Sequence, residues 1–157
     1  MAPKKGSEIG HLMERLGDHG FAVTVETEDE LHTHCVSGNG FRLRVDIGPK
    51  GILLDFVVGR NGESPELRYS IDTDLYDTSD SAQRWFADEI LRDIASFLDA
   101  LGGGGLQVSR ARGRTAIVFP HEDKYVRVER GRVFTRRHEY EHVSDAEGGD
   151  TFQPFGP

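Results

Sequence analysis

FRLRVDIGPKGILLDFVV, residues 41–58, decides the fold class. Phe41, Leu43, Val45 and Ile47 alternate with Arg42, Arg44 and Asp46, the period of two that a half-buried strand requires. Gly48-Pro49-Lys50-Gly51 is turn chemistry, and residues 52–58 are then apolar on both faces, as in a central strand under a helix. The stretch therefore reads as an antiparallel hairpin at the middle of a sheet.

Working outward, residues 21–25 alternate, 28–30 turn, and 31–36 form another strand before the Ser37-Gly38-Asn39-Gly40 turn. A loop over 59–65 leads to a fifth strand over 66–71. Upstream, Ser7 can cap a helix over 8–16, where Ile9, Leu12, Met13 and Leu16 share one face and Gly17 and Gly20 stop it. Downstream, Asp80 and Gln83 resemble a capping pair opening a helix over 81–101. Its stripe is Phe86, Ile90, Ile94, Phe97, Leu98 and Leu101. Four glycines end it, and strands follow over 106–112, 115–119, 125–129 and 133–140. The expected fold is α+β, in the order α-β5-α-β4. One mainly antiparallel sheet, with room for strong curvature, carries a short N-terminal helix and one long amphipathic helix.

A chain of 157 residues fits one domain. We expect it over 7–143, with a flexible start at 1–6 and a loose, acidic, glycine-rich tail at 144–157, where Phe152 and Phe155 are able to dock. The net charge of −8 opposes bulk attraction to nucleic acid or anionic membrane. No apolar stretch is long enough for a bilayer, and Met1 to Gly6 is not followed by a signal-peptide core, so a cytoplasmic location and no membrane partner are expected. Cys35 is the only cysteine, which excludes an intrachain disulfide and a thiolate zinc cluster and is expected as a buried, inert thiol.

His138-Glu139-Tyr140-Glu141-His142 matches H-E-x-x-H literally. Zinc chemistry by that motif needs a helix, which alone places residues i and i+4 on one face. The β-branched and aromatic Val133-Phe134-Thr135 and the charge at Glu141 point to a strand, so the match is expected to be accidental. His32 and His34 share a strand face, and with His138 and His142 they form a four-imidazole alternative if the two strands adjoin. Solvent-facing histidines are the simpler expectation. No metal, cofactor or catalytic residue is assigned.

Two surfaces remain. The acidic run containing Asp72, Asp74, Tyr76 and Asp77 suits a protein partner, with Tyr76 as aromatic anchor. Between residues 106 and 140, nine Lys and Arg face four Asp and Glu, a net of +5 that leaves −13 elsewhere. Arg110, Arg112 and Arg114 would share a face of one strand as a basic surface, with internal neutralisation as the alternative.

These features favour a non-enzymatic protein-binding module of inhibitor or immunity type, whose partner is a toxin, effector or enzyme. Nucleic acid is the lesser candidate, through the basic segment. A His-based metal-binding protein or enzyme stands as another alternative. Residues 7–58, a glycine-ended helix and then alternating strands, resemble the start of the type III secretion chaperone and YbjN-like families. That resemblance implies a peptide-binding chaperone; the strand-rich C-terminal part departs from it, because those families close on helix.

Overall fold

The computed structural model describes residues 5–49, 51–60, 62–73, 81–111, 113–131 and 134–157. Among them, α1 (Lys5–Asp18) precedes a meander of β1 (Ala22–Glu28), β2 (Leu31–Gly38), β3 (Phe41–Gly48), β4 (Gly51–Val58) and β5 (Leu67–Thr73). The long helix α2 (Ser81–Gly103) leads to β6 (Gln107–Ala111), β7 (Arg114–His121), β8 (Lys124–Arg130) and β9 (Thr135–Tyr140). A short α3 (Val143–Glu147) and β10 (Gln153–Pro154) complete the described chain. The fold is α+β with the expected element order, and the strands divide into two open antiparallel sheets, β1-β2-β3-β4-β5 and β10-β6-β7-β8-β9.

Alternation in β3 sets the inner face of the first sheet. Phe41 lies opposite Val58, Leu43 opposite Phe56, Val45 opposite Leu54 and Ile47 opposite Ile52, so every inward pair is apolar. A one-residue slip would turn Arg42, Arg44 and Asp46 inward, which fixes the register. In the second sheet Val108, Ile117 and Val128 line up in the same way.

The two sheets share one core through α2. Phe97 sits at its centre, with ring centroids 5.2 Å from Phe56, 5.6 Å from Tyr69 and 5.1 Å from Phe119. It thus touches both sheets from one helix. α1 adds Ile9, Met13 and Leu16, all at most 2% exposed, and packs beside α2. Gly104, at φ +80°, ends α2 in the left-handed region, and the amides of Gly105 and Leu106 both donate to the Ala100 carbonyl.

Residues 144–157 depart from the expectation of a loose tail. α3 lies over the second face of the β6–β9 sheet, where Ala146 is fully buried, and β10 pairs with β6. Phe155 enters the common core against Phe41 and Phe56, and the Asn39 amide donates to the Gly156 carbonyl at 2.9 Å. Burial of one phenyl ring outweighs the segment's polar composition. Residues 5 and 6, expected in a flexible start, lie in α1; residues 1–4 are outside the described residues. Among the described residues no helix is long and apolar enough to cross a membrane.

Candidate functional site

The stripe of α2 is covered from Ala87 onward: Ala87 is 4% exposed, and Ile94, Phe97, Leu98 and Leu101 are buried. Just before it, nothing comparable among the described residues covers the helix. Trp85 is 58% exposed and Phe86 50%, their rings edge-on with centroids 5.0 Å apart. Phe86 departs from its expected place in the core stripe: the helical period continues through it, but the packing layer does not reach that far. Nothing in the sequence around Trp85 signals its exposure. Side chains of this size usually bury, so the adjacent exposed pair is a candidate contact surface.

The acidic run adjoins this helix start in sequence. Asp72 lies in β5 opposite Leu53. Asp74, Tyr76 and Asp77 fall outside the described residues.

The basic residues separate. Arg110 is the last residue but one of β6 and Arg114 begins β7, on either side of the turn at Gly113, so the three arginines do not share one strand. Arg110 lies opposite Thr115, and Arg114 opposite Ala111, which places the two arginines on opposite faces of the hairpin. Arg112 lies outside the described residues. Arg110 grips both carboxylate oxygens of Glu66, with Nε 3.1 Å from each and Nη2 3.0 Å from Oε2. Arg114 pairs with Glu129 at 3.5 Å, and Arg130 donates to the Pro65 carbonyl at 2.6 Å. Most deeply set is Arg127, 12% exposed at its side chain: Nη1 donates to the carbonyls of Ala146 and Glu147, and Nη2 meets Asp150, each at 2.9 Å. These geometries fit internal neutralisation.

The H-E-x-x-H match does not form the helix its chemistry requires. His138 is in β9 opposite Arg127, and His142 is the extended N-cap of α3 at φ −121°. His32 and His34 sit in β2 of the other sheet, and among the described residues no three His, Cys, Asp or Glu side chains converge on a possible metal position. His34 departs from the solvent-facing expectation. It is 8% exposed, its Nδ1 is buried without a partner among the described residues, and burial, then the neighbouring His32, holds its pKa below the ordinary 6.5. His32 is exposed and takes a hydrogen bond with Thr27 at 3.2 Å. Cys35 is exposed, correcting its expected burial: with His34 and Val36 turned inward, the strand alternation turns Cys35 outward between Thr24 and Arg44.

Elsewhere in the core layer, burial raises the pKa of Asp93 above the ordinary 3.8, opposed by His121, which stands 4.0 Å away. Burial likewise raises Tyr69. His34 lies in β2 of the first sheet, whereas the Asp93 carboxylate is felt by Tyr69 of β5 and faces His121 of β7.

No family model, curated protein or solved structure matches the chain.

Proposed function

We propose that this protein is a non-enzymatic binding module of inhibitor or immunity type, which recognises a toxin, effector or enzyme with a basic surface. The observation that carries the reading is the exposed Trp85–Phe86 pair at the first turns of α2, directly after the acidic run of residues 72–80. Large aromatic side chains anchor protein interfaces because they bury much area at small entropic cost. Carboxylates around such an anchor steer a basic partner into place and reject an acidic one.

The single tryptophan makes the test direct. The wild-type chain, the Trp85→Ala, Phe86→Ala double variant and the Asp74→Lys, Asp77→Lys double variant are used as baits in the native host. A partner held by wild type and lost from both variants supports the proposal, and titrating that purified partner should shift Trp85 emission to the blue. Retention of the same partner by both variants, or capture of none by wild type, refutes it.

A further inference from the structure

Independently of the α2 surface, the cleft between α1 and β1 has the features of an unfilled site. α1 carries Gly10 and Gly17 seven residues apart on one face, and together with Met13, Glu14, Val23, Val25 and His34 they line a groove of about 460 Å3. Glycine inside a helix is destabilising relative to alanine. At Gly10 no packing reason accounts for that cost, since a Cβ there would meet nothing within 4 Å. Val25, in the middle of β1, is 55% exposed. At the floor lies His34, more than nine-tenths buried with Nδ1 unpartnered among the described residues. A polar atom left so keeps its desolvation cost uncompensated.

The groove runs beside an open sheet edge. Among the described residues β1 pairs with β2 alone, so the outer row of its backbone N–H and C=O groups has no strand partner there. The corresponding edge on the other sheet, β9, is guarded by Arg136, Arg137, His138 and Glu139, four ionisable residues in a strand of six. In β1, the first four residues, Ala22, Val23, Thr24 and Val25, carry no charge. Charges guard edges against pairing, so the first half of β1, unlike β9, is an edge able to pair. Around it stand the exposed carboxylates Glu14, Glu26 and Glu28.

We propose that this cleft receives an extended peptide segment of a partner, which joins β1 as an additional antiparallel or parallel strand. The occupant carries apolar side chains at alternate positions, seated in the groove beside Gly10 and over His34, and basic side chains between them facing Glu26 and Glu28. Main-chain pairing supplies affinity, and the alternating pockets supply selection.

The probe is a fluorescein-labelled octapeptide of alternating valine and lysine. Its block isomer, with four valines followed by four lysines, has the same charge and composition. Fluorescence anisotropy should show saturable binding of the alternating peptide and none of the block isomer. Methylating every second amide nitrogen, on the face that meets β1, should abolish binding. Hydrogen exchange across Ala22–Glu28 should slow on binding. Gly10→Leu fills the groove while favouring helix, and should weaken binding by about tenfold or more with no loss of thermal stability. No binding of the alternating peptide, equal binding of the block isomer, or undiminished binding to Gly10→Leu each overturns the proposal.

Discussion

Phe155 and Phe41 meet edge to face, their ring centroids 5.2 Å apart and their planes at 66°. Through this contact the segment that pairs with the second sheet closes over the central hairpin of the first. Phe155→Ala should cost about 3 kcal/mol, the usual price of a core phenyl cavity. The measurement is chemical unfolding, together with faster proteolysis after β9.

Arg127 holds α3 through two carbonyls and Asp150, with Phe152 beneath its guanidinium at 5.5 Å. Replacing it by alanine leaves the terminal carbonyls of a short helix without their donor, a loss of about 2 kcal/mol. Arg127→Lys should recover little of this, because an ammonium cannot fork to three acceptors in one plane. Hydrogen exchange over 143–150 distinguishes local release of α3 from global unfolding.

His34 makes a prediction about pH. Its folded pKa lies below the unfolded value near 6.5, first through burial and then through His32. Between those two values the unfolded chain binds more protons, so stability rises with pH across that window and falls on acidification below about 6.5. His34→Leu should flatten that part of the stability profile. An unchanged slope in the variant would show that other groups carry it.

Metal content tests the histidine motif. With His138 in a strand and His142 at a helix cap, purified protein should hold no stoichiometric zinc, and a chelator should leave the unfolding midpoint unchanged. Stoichiometric zinc lost from both His138→Ala and His142→Ala would contradict the strand reading.

The meander was legible because β3 alternates without a break, and β4 and α2 were legible because their apolar runs have the right length and period. Division into two sheets was not legible: alternation tells which face of a strand is buried, never which strand lies beside it. Cys35 shows the same limit at one residue, since LHTHCV offers no apolar alternation and its parity follows from the pairing with β1 and β3. Phe86 shows another. A helix keeps its period beyond the layer that covers it, so exposure at the first turns depends on where neighbouring elements stop. The arginines of 106–114 were legible as charges, while their separation onto two faces depended on where the chain turns.

In both sheets, nearly every strand lies against its neighbour in sequence, and the exception is β10 beside β6. Short-range pairing keeps contact order low within each meander, so both can zip up quickly with little loop-closure entropy. Docking of β10 and Phe155 spans a far longer loop and belongs late in folding. Weakening that latch should therefore hasten unfolding while leaving the refolding rate almost untouched, which makes it the place where this protein's lifetime in the folded state is set.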